Sequence, residues 1–504
     1  MKRLFRGLRD RAPAERYDAV IVGSGIAGLV SANLLARSGM RVLLVEQHYM
    51  AGGYCSTFRR AGYTFDAASH FYPLLGNPDT LTGKLLAEIG SRCEWVLMDP
   101  VDTFHLPDGS SFAVPVDLDS YLTKIKGEFP HQREAIDRFF AAVRREYLAG
   151  LLRYFRDHQP LPGRQGRDES LAEALDRHFD DPRLKLVLTA DCPHWGSPPS
   201  RTSFTFDSML RLSYFLGNYY PARGSQAFVD DLARCFEDAG GDILMSTRVE
   251  RITLARGRVS GVELDTTRGG LRGRSTVGAP IVVSNADLLS TVDRLVGAEH
   301  FPADYVAGIR RLRPTYPCFL THLGLRDVSA ELLTRLQGYY WNTWEAENVG
   351  RDALACKIFV PTLYASDLAP QGGHIVILQK VLDLDYAAVD DWAAHKASIE
   401  GYLIAHLRRL IPDLDSKVVT ASSASARTSN RFTWNRHGAM LGWEMSPQQL
   451  GDARPDTTSP IPGLFFTGHW TRPGGGITPV MVSAQRVANS IVGRRNPPFL
   501  APVS

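Results

Sequence analysis

At 504 residues, 44% of them hydrophobic, the chain is long enough for more than one domain, and its formal charge of +3 gives no overall electrostatic support for nucleic-acid binding. Its six cysteines, Cys55, Cys93, Cys192, Cys235, Cys318 and Cys356, are scattered with no C-x-x-C pair, which argues against a metal knot and against a disulfide-dense secreted scaffold. No run supplies the roughly 20 apolar residues of a spanning helix, and Met1–Arg16 lacks the apolar centre of a signal peptide.

That leader sets Lys2, Arg3, Arg6, Arg9, Arg11 and Arg16 beside Leu4, Phe5 and Leu8. It suits either a solvated tail or a peripheral contact with an anionic membrane surface. Tyr17–Val22 then reads as a short buried strand, followed by Gly23, Gly25 and Gly28 at the positions of a G-x-G-x-x-G turn. The first glycine permits the tight turn, the second admits a pyrophosphate close to the backbone, and the third lets helix and strand pack. Ile26–Ser38 suits a helix with its positive end toward phosphate. Arg41–Val45 is the next strand, and Glu46 stands 18 residues beyond Gly28, where a carboxylate can accept the ribose hydroxyls. The acid favours an unphosphorylated ribose, hence FAD or NAD over NADP.

Gly52-Gly53 follows shortly after, a second flexible backbone approach that an ordinary NAD fingerprint does not require. Ser56–Asp66 reads as a hairpin about Gly62, leading to His70. Between Asp117 and Phe155 the pattern is helical, with Phe139, Phe140, Val143, Tyr147, Leu151, Leu152 and Phe155 on one apolar face. Core packing, a membrane face or a greasy substrate entrance all fit that face. Leu161–Asp168 reads as a loop and Ser170–Phe179 as a helix.

Ala227–Gly240 is predicted helical, Asp242–Ile252 a strand, and Arg256–Leu264 a hairpin. Pro280–Asp287 is a strand running into small residues near a nucleotide. Pro462–Gly468 is a strand ending in a sharp turn, followed by Gly474-Gly475-Gly476 and a helix over Val480–Val492. The three glycines bring peptide groups close to a flat ligand, and the helix N-terminus can stabilise negative charge on it. These returns predict an α/β fold with a discontinuous nucleotide-binding part at residues 1–105, 215–300 and 430–504. A mixed α+β substrate-binding part is inserted at 106–214 and 301–429.

Taken together, Asp18–Leu29, Glu46-Gln47-His48, Gly52-Gly53-Tyr54-Cys55, Phe65-Asp66 with His70, Tyr220–Gln226, Val283–Asp287, Gly463–Gly468 and Pro473–Gly476 resemble the phytoene desaturase, carotenoid isomerase and retinol saturase family of FAD enzymes. Glu46-Gln47-His48, Gly52-Gly53-Tyr54-Cys55 and His70 are more similar to its retinol saturase side. The resemblance implies a Rossmann-like FAD-binding domain in an amine-oxidase-like architecture. It places FAD against Gly23, Gly25, Ile26, Ala27, Gly28, Glu46, Gln47, Gly52, Gly53, Tyr54, Val249, Asn285, Gly468, His469, Gly475, Ile477 and Thr478. Relatives commonly carry an aspartate where this chain has His469, which can reach a phosphate or ribityl oxygen instead.

The implied chemistry is desaturation or saturation of a C–C bond in a carotenoid, retinoid or related isoprenoid, by hydride exchange with the flavin and transfer of a proton at the neighbouring carbon. Cis–trans isomerisation of a polyene and oxidation of an amine or other lipophilic substrate are the alternatives. His70, His322 and Arg472 are the catalytic candidates, with His194-Trp195 beside them. Met209, Leu212, Tyr214, Phe215, Tyr219 and Tyr220 offer a greasy surface. No second NAD fingerprint occurs, so oxygen, a quinone or an external electron carrier recycles the flavin. The expected setting is the cytoplasm, free or peripheral on a membrane's inner face.

Overall fold

Ala19–Val22 is buried on both faces because its alternate side chains enter two different apolar cores. Ala19 and Ile21, with Val42 and Leu44 of the neighbouring strand, pack toward a layer of helices. Val20 and Val22, with Leu43 and Val45, pack to the opposite side. The computed structural model describes residues 12–68, 70–154, 169–267, 275–351 and 354–493. The leader as far as Arg11, Phe155, the Leu161–Asp168 loop and the side chain of Leu152 lie outside that part.

Five strands form an all-parallel sheet in the order Asp242–Leu244, Val42–Val45, Ala19–Val22, Ile281–Ser284 and Leu464–Phe466. The helices Ile26–Arg37, Ser225–Asp238 and Ile477–Val492 cover one face. An antiparallel sheet of Thr247–Ala255, Arg258–Thr266 and Ser275–Gly278 covers the other. The chain leaves Ala19–Val22 for one neighbour and returns much later to the other, so a crevice opens beyond the carboxyl end of that strand. Gly23 stands at its rim.

A second, seven-stranded sheet runs Val418–Ala424, Cys318–Arg326, Gly373–Val381, Ala355–Phe359, Gly338–Trp341, Asp102–His105 and Ser111–Val114. Cys318–Arg326 pairs antiparallel with Gly373–Val381 over its whole length, from Cys318 opposite Val381 to Arg326 opposite Gly373. Along this strand Phe319, Leu323 and Leu325 pack with Leu403 and Leu407 of the helix Trp392–Leu410. The alternate residues Cys318 and Leu320 face the crevice.

The helices Leu118–Glu128, Arg133–Tyr154, Leu171–His178 and Phe204–Tyr214 stand beside this sheet. Their starts have a local cause: Asp117 accepts the Ser120 N–H at 2.8 Å, and Ser170 with Glu173 forms a reciprocal capping box. Phe139, Phe140 and Val143 are buried, and the Phe139 ring lies 5.2 Å from that of Phe179 and 5.5 Å from that of Phe204. This stretch of the amphipathic face is core. Among the described residues no helix is long and apolar enough to cross a membrane.

Candidate functional site

Three glycines shape the rim of the crevice for different reasons. Gly23 has φ of +94°, and its N–H donates to the Val45 carbonyl at 2.8 Å. A Cβ on Gly25 would meet Asn285 Nδ2 at 2.8 Å, and one on Gly28 would meet the Gly23 carbonyl oxygen at 2.0 Å. The helix Ile26–Arg37 starts at Gly25 with no side-chain cap and no acidic residue in its first turn. Its first N–H groups are therefore free for an anion. Gly52, at φ of +119°, donates its N–H to the Ser24 carbonyl at 3.0 Å and lies bridged to Gly25.

Glu46 is held beside this turn. One of its oxygens accepts the Ser24 N–H at 2.8 Å and the Ser24 hydroxyl at 2.7 Å, while the other accepts the His48 N–H at 2.8 Å. A carboxylate has about four acceptor sites, so one is left for a ligand hydroxyl.

The second half of the cradle arrives from the far end of the chain. Leu464–Phe466 leads to Gly468, whose Cβ position lies 2.7 Å from Asn285 Oδ1. Asn285 also donates to the Gly23 carbonyl at 3.4 Å, so one side chain joins the first and last glycine turns. The helix Ile477–Val492 begins at Gly476, again with no side-chain cap and no acid in its first turn. Two uncapped helix N-termini thus border one cavity of about 880 Å³.

That cavity is lined by Gly23, Gly25, Ile26, Ala27, Glu46, Gln47, Gly52, Gly53, Tyr54, Val249, Asn285, Gly468, His469, Gly475, Ile477 and Thr478. Gly28 does not line it; the contact with Gly23 shows its place to be helix-to-strand packing. Tyr54 donates to the Ala439 carbonyl at 2.9 Å, and Thr478 to the Pro73 carbonyl at 2.9 Å. The glycine cradles, the spare acceptor on Glu46 and the two uncapped helices fit a dinucleotide.

His469 is tied to the structure behind it through one ring nitrogen. Its Nε2 lies 3.1 Å from Asn435 Oδ1, which also accepts the Trp470 indole N–H at 3.1 Å. Burial, reinforced by the nearby Arg454, pushes its pKa down to about 3. His469 is therefore a neutral donor to Asn435, and it lines the cavity as an uncharged ring.

Beyond the cradle the same cavity continues between apolar walls that include Phe71, Phe206, Met209, Leu210, Leu320 and Met440. Tyr147 and Leu151 reach it from the long helix, so one end of the apolar face lines the cavity. His70 and His194 line it too, with ring centroids 5.5 Å apart. His70 Nδ1 sits 3.4 Å from the Ala68 carbonyl, while its Nε2 is buried without a hydrogen-bond partner. His194 Nδ1 is likewise buried and unpartnered. Burial first, then Lys357, then the other ring hold His70 well below the usual histidine range. Burial and Lys357 take His194 to about 3.

Two expected catalytic residues do not reach the cavity. His322 lies on the cavity-facing side of its strand, but the hairpin Thr57–Asp66 covers it, with the Phe58 and Phe65 rings 5.0 and 5.7 Å away. Its Nε2 bonds the Asp66 carbonyl at 2.9 Å and its Nδ1 faces the Ser422 carbonyl at 3.3 Å, a structural tie between two sheets. Arg472 turns away as well, donating to the Arg454 carbonyl at 3.1 Å and pairing with Asp452 at 3.1 Å.

Two residues that sequence reasoning passed over organise the site. Lys357, fully buried on the strand Ala355–Phe359, bonds Asp102 at 2.5 Å, with its ammonium 4.3 Å from the Phe71 ring centroid and 4.4 Å from that of Tyr339. A lysine inside the apolar run Ala-Cys-Lys-Ile-Phe was the available signal. Arg454 is also buried and donates to the carbonyls of Thr471, Glu444, Trp443 and His469. Nothing in its local sequence marks it.

The profile of the family described as flavin containing amine oxidoreductase matches residues 26–492. The chain is 26% identical to the all-trans-retinol 13,14-reductase of Rattus norvegicus, covering 91% of this chain and 83% of that protein. It is 26% identical to the chloroplastic prolycopene isomerase of Arabidopsis thaliana, covering 94% and 83%. It is also 26% identical to the lycopene-forming phytoene desaturase of Pseudescherichia vulneris, covering 94% and 98%. Among solved structures, putrescine oxidase bound to putrescine superposes with a TM-score of 0.65 at 14% identity, covering 96% of this chain and all of that one. An oxidoreductase from Methanosarcina mazei gives 0.65 at 16% identity, covering 93% and 99%.

Proposed function

The chain belongs to the flavin-containing amine oxidoreductase family and is an FAD-dependent oxidoreductase, and from that premise we propose that it saturates or desaturates a C–C bond of an extended isoprenoid. The observation that carries this reading is one cavity that joins the dinucleotide cradle to a long apolar chamber. Three relatives named for a retinol reductase, a prolycopene isomerase and a phytoene desaturase support the same substrate class.

Bound FAD supplies two-electron chemistry as a hydride donor or acceptor. The chain's own part is to place the bond and exclude water. Phe71, Phe206, Met209, Leu210 and Met440 align a flexible apolar molecule by broad contact rather than by one charged anchor. The carboxylates lining the cavity are Glu46 at the nucleotide end and Asp79 and Glu88.

In this reading the nucleotide-binding part comprises residues 1–101, 215–300 and 430–504, its first boundary drawn before Asp102 rather than after residue 105. The strand Asp102–His105 pairs in the seven-stranded sheet. The exposed Leu148 and Leu216, adjoining the lining residues Tyr147 and Ser213, support a peripheral membrane contact through which an apolar substrate enters.

Reduction of the FAD-loaded protein without oxygen, followed by addition of a polyene, tests the assignment. Reoxidation of the flavin with loss of one double bond identifies saturation. Bleaching of oxidised flavin as a double bond forms identifies desaturation. Geometric conversion with no net change in flavin identifies an isomerase, the second reading, which the match to prolycopene isomerase favours. A flavin spectrum and polyene both unchanged by any such mixture would rule out the isoprenoid reading.

A further inference from the structure

The His70–His194 pair is a polar cluster in a largely apolar chamber, whose lining also includes Ser213 and Gln379. The two rings meet edge to face at 84°, with Phe71 packed against both, its ring centroid 5.7 Å from that of His70 and 4.9 Å from that of His194. A buried nitrogen without a partner costs about 1–3 kcal/mol. Here two such atoms, His70 Nε2 and His194 Nδ1, belong to adjacent residues that both line the cavity.

The surroundings define what would satisfy them. The Ala68 carbonyl accepts from His70 Nδ1–H, so His70 Nε2 carries a lone pair and needs a donor. His194 Nδ1 is likewise unpartnered and supplies a donor or an acceptor according to the ring's tautomer. Lys357 stands behind Phe71 with its charge already met by Asp102, so the subsite offers no net charge to a carboxylate. A second cation there would have no carboxylate of its own. The remaining match is a neutral group that both donates and accepts, which is a hydroxyl. Rotation about the terminal torsion of an imidazole is soft, so either ring can turn to meet it.

We propose that His70 and His194 form a binding subsite for the hydroxyl group of an isoprenoid alcohol, setting which end of the substrate lies deepest and which double bond comes to the reacting position. The proposal rests on the isoprenoid reading above. It makes the pair specificity-determining.

The test uses the full chain loaded with FAD and a matched pair of C20 polyenes, one ending in CH2OH and the other in CH3, in the same detergent micelles. Binding is read from flavin absorbance and, independently, from tryptophan fluorescence. Wild type is expected to bind the alcohol about tenfold more tightly, the ratio worth one net hydrogen bond. The double variant His70→Phe/His194→Phe should bring the ratio to about one by weakening the alcohol alone, and His194→Gln should keep a preference. Equal affinities in wild type, or an undiminished ratio in the double variant, would overturn the subsite while leaving the isoprenoid reading intact. Failure of both probes to bind a chain that retains FAD would overturn the isoprenoid reading and the subsite with it. Folding of the variants is checked by their FAD content, and a double variant that loses FAD is replaced by His70→Leu/His194→Leu, held to the same ratio.

Discussion

Arg454 donates from Nη2 to the carbonyl oxygen of His469 at 2.9 Å, fastening the turn after the last strand of the parallel sheet from behind. Three more carbonyls, of Thr471, Glu444 and Trp443, share the guanidinium. Burial lowers its pKa to about 9, so the charge is held chiefly by these dipoles. Arg454→Met leaves four buried carbonyls short of a donor and is expected to cost about 3 kcal/mol or more. Urea denaturation of the apo and FAD-loaded protein measures this. Arg454→Lys should recover part of the stability, because a point charge replaces the charge but not the fork.

Gly28 and Gly39 separate steric crowding from backbone strain. A Cβ at Gly28 strikes the Gly23 carbonyl oxygen at 2.0 Å, so Gly28→Ala should cost about 3 kcal/mol and release FAD. At Gly39 nothing lies within 4 Å, but φ is +87°, and Gly39→Ala should cost only about 1 kcal/mol with FAD retained. Thermal melts and flavin-to-protein ratios distinguish the two. Equal losses would mean that the turn is looser than described.

The Lys357–Asp102 pair is nearly solvent-free, with side chains 1% and 6% exposed. Removing one partner leaves a buried charge alone, so Lys357→Met is expected to destabilise the fold by about 3–5 kcal/mol. The double variant Lys357→Met/Asp102→Leu should be markedly less damaging than the sum of its parts. A double-mutant cycle in urea reads the difference, and additivity would show that the two groups do not depend on each other.

Acid should weaken the protein below the ordinary histidine range. Burial holds His70, His194, His322, His406 and His469 neutral in the fold, with His194 and His469 at about 3 and His322 and His406 at about 4. Once unfolded they protonate at about 6.5, so the unfolded chain binds more protons as pH falls from there toward the folded values. Asp66 and Asp191, raised by burial to about 6, act in the opposite sense between about 3.9 and 6, since they are protonated first in the fold. Burial also raises Asp207, Asp230 and Asp287 and lowers His105, His374 and His437, so eight histidines outweigh five carboxyls. Stability should therefore fall between pH 6.5 and 5 by at least about 1.4 kcal/mol per unit, the value for one net proton. Urea midpoints across that range check the sign.

The sequence by itself determined the nucleotide cradle, because that part rests on backbone rules. Gly23, Gly25 and Gly28 announce a turn whose conformations and close contacts side chains cannot share, and Glu46 follows at a distance set by one helix and one strand. Strand and helix periodicity likewise marked Val42–Val45 and Ile477–Val492 closely. Which histidine meets the chamber was a different kind of question. His322 sits on the cavity-facing side of its strand, yet the hairpin carrying Phe58 and Phe65 covers it, whereas His70 and His194, far apart in the chain, converge on the cavity. Asp102 meets Lys357, and Arg454 meets four carbonyls, across gaps that no local pattern encodes. Local conformation follows from the residues on either side of a position. Side-chain burial and partnership depend on which distant segment is packed on top, and only the tertiary structure decided that.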